Sequence, residues 1–232
     1  MDRFGYIGIG LAMIPFWIFL YRHVSKSVKQ KMIKHGAIGA LIAIATEHIF
    51  IQDYWIPPPV FGIKNFYALE DFIYGFLIVG ISLSVYDYIF DFDKKEIYEK
   101  QRIQSYVLVF LILGSFYILS TVYQYNSTLV ISLSMFVAAM LMIWIRKDLW
   151  KKALVSGFIV MSILIFIHLI LFDILLTGWW HRYWLLADGP YAYYIMDIPW
   201  IEYIWYFSIG FFMSIISDFS HGRALVRKKQ GT

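Results

Sequence analysis

Seven times along this chain, apolar residues run for about 17 to 25 positions without a single lysine or arginine, the length a helix needs to cross a bilayer. The runs cover roughly 5–21, 35–51, 66–90, 104–122, 128–145, 153–176 and 198–218. With 60% hydrophobic and only 16% charged residues, the chain lies outside the range of a soluble domain. The expectation is therefore an all-α, polytopic membrane helix bundle, with residues 1–232 forming a single membrane domain. The first run lacks a basic leading segment and a small-residue cleavage site, so it is expected to be a retained helix.

The basic residues fall between the runs in an alternating way. Of the twenty lysines and arginines, all but Arg3, Lys64 and Arg182 follow the first, third, fifth or seventh run. By the positive-inside rule, the N-terminus is expected outside the cell membrane and the C-terminus in the cytoplasm. The net charge of +4 is thus read as a topology signal, with no nucleic-acid partner implied. There is no cysteine, which excludes disulfides, thiolate catalysis and Cys-ligated metals. No Gly-rich phosphate loop and no Gly-x-Ser-x-Gly elbow occurs.

Two runs match one another. Shifted by 131 residues, Asp71 falls on Glu202, Phe72 on Tyr203, Phe76 on Phe207 and Asp87 on Asp218. Each of these runs follows a loop rich in aromatics, Pro and Gly, one beginning at Asp53 and the other at Thr177. Most of those rings fit an interfacial aromatic belt. Glu47 lies seven residues before Tyr54, and Asp173 seven before Trp180. The pattern predicts two parallel three-helix repeats (about 5–90 and 128–218) joined by a linker helix (about 104–122), followed by a basic tail over 219–232. Pro199 suits a helix start, where its missing N–H costs nothing.

Four acidic positions, Glu47, Glu70/Asp71, Asp173 and Glu202, are expected at one depth near the outer side, facing a shared cavity. Intramembrane acids are expensive unless paired or hydrated, which makes them site candidates. Asp53, Asp188 and Asp197 fall in loops, and Asp87 and Asp218 near the cytoplasmic helix ends, where solvation is expected to account for them. Two carboxyls close together in a low-dielectric site cannot both ionise, so one holds its proton and can donate it. Trp179, Trp180, Trp184, Tyr203 and Trp205 can offer ring faces to a positive centre. Such a pocket suits protonation of an alkene and shelter of the cation. A metal site from Glu47, His48, His168 and Asp173 is the weaker reading; polar bridging between helices fits these histidines better.

The stretch Pro199-Trp-Ile-Glu202-Tyr-Ile-Trp-Tyr-Phe207, with Ala68-Leu-Glu70-Asp71-Phe opening the earlier run, resembles the integral-membrane lycopene cyclases. That family has heterodimeric bacterial forms and fused archaeal and fungal forms. Its halves each carry a Pro-x-Glu-Glu/Asp-x-x-x-Phe-like motif opening a membrane helix. Ala68 stands where the family has Pro, and Ile201 where it has the first Glu, so one of four carboxylates is replaced. The resemblance implies a carotenoid substrate within the bilayer lipid, a redox-neutral ring closure and no cofactor. It points to Glu202 and Asp71 as the proton-transfer pair with Glu70 assisting. Glu47, Asp173, Trp180, Trp184, Pro199, Tyr203 and Trp205 would shape the substrate pocket.

Two alternatives stay open: a small-solute transporter of the same three-plus-one-plus-three plan, and a noncatalytic relative of the cyclases. The first and fifth runs lack the Pro-Gln pairs of small sugar carriers. A retinal photoreceptor is excluded because the seventh run has no lysine for a Schiff base. No run carries the paired Asp-rich motifs of a prenyltransferase.

Overall fold

A computed structural model describes residues 2–63, 67–90, 93–189 and 191–226. The chain is mostly helical: α1 (Gly5–His23), α2 (Lys26–Asp53), α3 (Ala68–Phe90), α4 (Arg102–Thr121), α5 (Ser127–Ile145), α6 (Trp150–His168), the short α7 (Trp179–Tyr183) and α8 (Trp200–Ser220). Among the described residues, six helical segments are long and apolar enough to cross a membrane. They are Asp2–His23, Ala68–Phe90, Arg102–Thr121, Ser127–Ile145, Lys147–Leu175 and Trp200–Ser220. This is a helical membrane protein. The remaining long helix, α2, carries Lys26, Lys29, Lys31 and Lys34 in its opening turns and is more polar than the six.

α3 and α8 lie against each other at the centre, with α1 and α2 packed on α3, and α5 and α6 on α8. α4 packs chiefly on α5 and shows Ile103, Tyr106 and Phe110 outward, each about three-quarters exposed. Large apolar side chains left uncovered in this way mark a surface made for lipid. The tightest helix pairs use glycine, because short side chains let backbones approach. A Cβ on Gly36 of α2 would stand 2.9 Å from the Phe76 carbonyl of α3. One on Gly157 of α6 would stand 3.1 Å from the Phe207 carbonyl of α8.

Short antiparallel pairings tie both ends. At one end β1 (Asp93–Glu96), after α3, pairs with β4 (Arg223–Val226), after α8, so that Asp93 faces Val226 and Lys95 faces Ala224. At the other end the loops after α2 and α7 bridge at Trp55 and Trp184. There the Ile56 amide donates to the Tyr183 carbonyl and the Leu185 amide to the Tyr54 carbonyl, both at 2.9 Å. A hairpin of β2 (Tyr194–Ile195) and β3 (Ile198–Pro199) leads into α8. Pro199 is the residue before the first turn of α8, one position earlier than a Pro in that turn would be.

Three expectations about acids are corrected. Asp53 is not left to solvent: its carboxylate accepts from the Ser127 amide at 2.6 Å and the Ser127 hydroxyl at 2.5 Å, capping α5. Asp87 and Asp218 are not solvated either. The Lys152 ammonium of α6, itself 1% exposed, lies 2.8 Å from both carboxylates, and Lys31 of α2 lies 3.3 Å from Asp218. Helix packing buries these acids because two lysines from neighbouring helices neutralise them. Of the basic clusters, Lys31, Arg146 and Arg223 gather at this same end, the Arg146 guanidinium donating to the Arg223 carbonyl at 2.9 Å. Lys64 and residues 227–232 of the basic tail lie outside the described residues.

Candidate functional site

An elongated, partly open cavity of about 810 Å³ lies between α2, α3, α4, α5 and α8. Its wall follows α2 from Ser27 to Phe50, a rise of about 35 Å at 1.5 Å per residue.

At the end near the Trp55 and Trp184 loops, three buried acids line this cavity: Glu47, Asp71 and Glu202. Each is held by an aromatic donor from elsewhere in the chain. Tyr6 of α1 donates its hydroxyl to Asp71 Oδ1 at 2.6 Å. Tyr54, just past the end of α2, donates to Glu202 Oε1. Trp55 Nε1 donates to Glu47 Oε1 at 3.2 Å. No lysine, arginine or other cation forms an ion pair with these carboxylates among the described residues.

Around the acids stands a shell of rings. Trp55 and Trp180 stack with centroids 6.0 Å apart, and Trp180 stacks on His168 at 5.6 Å. The Tyr206 hydroxyl is 2.8 Å from His168 Nε2 and also interacts with Glu202. Trp205 Nε1 donates to the Tyr74 hydroxyl at 3.3 Å. His168 thus bridges helices α6 and α8, as polar groups inside bundles do. Among the described residues, no group of three or more His, Asp and Glu is placed to hold a metal ion.

Of the residues singled out from sequence, Glu202, Asp71, Glu47, Trp180 and Trp205 line the cavity. The others are placed elsewhere. Glu70 is buried behind the wall, accepting from the Val60 amide at 2.7 Å, with Oε2 unpartnered among the described residues. Trp184 is buried under the loop bridge, edge-on to Tyr194 at 5.1 Å. Tyr203 turns to the Ile195 carbonyl at 2.9 Å, fastening the hairpin. Outside the spans, burial and then Asp197 and Asp188 push the Tyr194 phenol above its ordinary value.

Asp173 does not join the other acids at the cavity, against expectation. The α-helix ends at His168, and Leu169–Leu175 form a π-helical stretch. The wider turn changes which side chains face inward, leaving Asp173 half-buried off the cavity. His168 is fully buried instead. Counted from the close-packed glycines, His168 follows Gly157 by the same eleven residues that separate Glu47 from Gly36. Lys31 and Lys152 likewise precede those glycines by the same five residues.

Sequence reading missed Tyr6, Tyr54, Tyr74 and Tyr206, which hold or surround the acids. Tyr54 sits in a loop where an aromatic belt was expected, Tyr6 sits at the start of the first run, and nothing in the spacing of either set it apart from other rings near helix ends. No protein-family model matches this chain, and neither a curated protein nor a solved structure does.

Proposed function

We propose that this protein is a membrane carotenoid cyclase of the lycopene type, closing a ring at an acyclic carotenoid end group. The observation that carries the reading is that Asp71 and Glu202, from different helices, line one elongated cavity whose wall is mostly apolar. A polyene lying in that cavity brings its end group to the acids. One carboxyl gives its proton to the terminal double bond. The neighbouring alkene attacks the resulting cation, forming the ring C–C bond and moving the charge to the next carbon. The other carboxylate removes a proton from a carbon next to that charge, regenerating a double bond.

One proton enters and one leaves, so the net reaction is an isomerisation that requires no cofactor. Tyr6 and Tyr54 orient the two carboxyls, while Tyr74, Trp55, Trp180 and Tyr206 offer ring faces to the cation. Glu70 assists from behind the wall by fixing the loop at Val60. Expression in a lycopene-accumulating bacterium, with pigment analysis, tests the reading. A ring is expected with the native chain and none with Glu202→Gln; unchanged lycopene beside well-inserted native protein overturns it.

The finer architecture belongs to the same proposal: seven spans, with α2 crossing alongside the six apolar segments, in two parallel three-helix repeats joined by α4. The glycine contacts support the repeat, as do the Lys–Asp cluster and the two loop-and-strand bridges, each of which exchanges equivalent positions. The N-terminus lies outside and the C-terminus in the cytoplasm. Since the chain has no cysteine, a single cysteine at Asp2 or Thr232 gives a clean test with a membrane-impermeant thiol reagent on whole cells. Labelling is expected at position 2 only, and the reverse pattern inverts the orientation.

A further inference from the structure

The cavity has a second end of opposite character. Where it reaches the first turns of α2, it is lined by Lys31, Lys34, Arg102 and Arg223, with Ser27 and His221 between them. No Asp or Glu lines that end among the described residues. Lys31 is held by Asp218, and Arg223 lies 3.8 Å from Glu96. Lys34 and Arg102 are exposed and form no ion pair among the described residues.

From those cations the wall turns apolar, with Ile38, Ile42, Val109, Ile112, Ile131 and Met135. Ile38 and Tyr106 line it and are 47% and 74% exposed, so the wall opens sideways between α2 and α4 onto the lipid-facing surface. A free anion would engage the cations and none of the apolar wall that runs on from them. A plain hydrocarbon would use the tube and leave the cations unmatched. A molecule with an anionic head and one long chain uses both, and it can enter from the bilayer.

We propose that this end of the cavity binds a phosphate-bearing anionic lipid, its headgroup at Lys34, Arg102 and Arg223 and one hydrocarbon chain in the tube. The site does not depend on the ring-closing reaction, although a lipid chain and a polyene compete for the same apolar space. Each basic side chain near a membrane surface strengthens binding of an anionic lipid about fivefold.

The test uses full-length protein in neutral detergent and native mass spectrometry. The probes are lysophosphatidic acid, lysophosphatidylcholine of the same chain, and inorganic phosphate as competitor. A one-to-one complex with lysophosphatidic acid is expected, preferred by about tenfold or more over the zwitterionic lipid. Lys34→Gln with Arg102→Gln, both at exposed positions, should weaken it about thirtyfold. Ile131→Trp, which fills the tube and spares the charges, should also release the lipid.

Equal retention of the two lipids overturns the proposal. So does undiminished binding by the folded double variant, or displacement by inorganic phosphate alone, which would mark a free-anion site. Loss of ring formation in Glu202→Gln with lipid retained would show the two ends acting separately; failure of the cyclase reading leaves this result unaffected.

Discussion

The two central helices each carry an acid near either end, and the two ends treat their acids differently. At the β1 and β4 end Asp87 and Asp218 lie against the buried ammonium of Lys152, with Lys31 beside Asp218. At the Trp55 and Trp184 end Asp71 and Glu202 accept from phenols, form no ion pair among the described residues and sit on a cavity wall. A buried carboxylate with a lysine 2.8 Å away has its charge compensated, and the set joins α2, α3, α6 and α8. A buried carboxyl with neutral donors keeps its proton chemistry available. The same helices thus contain a structural cluster and a candidate reactive one, separated by the length of the bundle.

The Lys152 cluster gives the largest expected effect. Lys152→Met leaves Asp87 and Asp218 without their shared cation and should cost about 3–5 kcal/mol, seen as a lowered melting temperature or lost expression. Adding Asp87→Asn should recover most of that loss, since one acid fewer then balances one cation fewer and Asp218 keeps Lys31. If Lys152→Met alone melts like the native protein, the cluster is not structural.

Asp71 and Glu202 should respond the opposite way. Glu202→Gln keeps the shape and the Tyr54 contact, so stability should change by less than about 1 kcal/mol, while ring formation falls by about a hundredfold or more. Asp71→Asn should behave alike. Pigment analysis and a melting curve on the same preparation separate the two readouts. A Glu202→Gln protein that cyclises at native rate would remove Glu202 from the chemistry. One that unfolds would make Glu202 as structural as Asp87 and Asp218.

The fold class was legible in the sequence because charge-free runs and lysine spacing are one-dimensional signals. The match of Asp71 with Glu202 and of Asp87 with Asp218 was legible for the same reason. What each pair does was not. Asp87 and Asp218 were expected to be hydrated because nothing local marks Lys152 as turned inward. That orientation follows from Gly157 letting α6 close onto α8, a contact 66 residues distant from Lys152 to Asp218 in sequence. Asp173 was misplaced because counting residues assumes an unbroken α-helix, and the π-helical stretch at Leu169–Leu175 breaks the count. Tyr6 and Tyr54 went unnoticed among 18 tyrosines, since only the tertiary fold aims them at Asp71 and Glu202.

A smaller effect should show whether the halves are equivalent in packing. Gly36→Ala and Gly157→Ala each force a Cβ toward a carbonyl of the facing helix, at 2.9 and 3.1 Å. Each should cost about 1–3 kcal/mol, and similar melting shifts would sharpen the repeat. A large loss for one and none for the other would show that the two halves use these contacts differently.

The smallest effect concerns the phenols. Tyr54→Phe removes one hydroxyl and leaves the ring, which packs beside Trp55 at 6.3 Å. A hydrogen bond to an ionised group contributes about 1.5–3 kcal/mol. If Tyr54 serves to aim Glu202, the variant should slow ring formation about tenfold to a hundredfold and lower the melting temperature by only a little. Tyr6→Phe makes the matching change at Asp71. Because Glu202 also interacts with Tyr206 while Asp71 relies on Tyr6, Tyr6→Phe should be the more damaging of the two. Equal effects would mean that Tyr206 does not support Glu202, and that the Asp71 and Glu202 carboxyls differ less than their surroundings suggest.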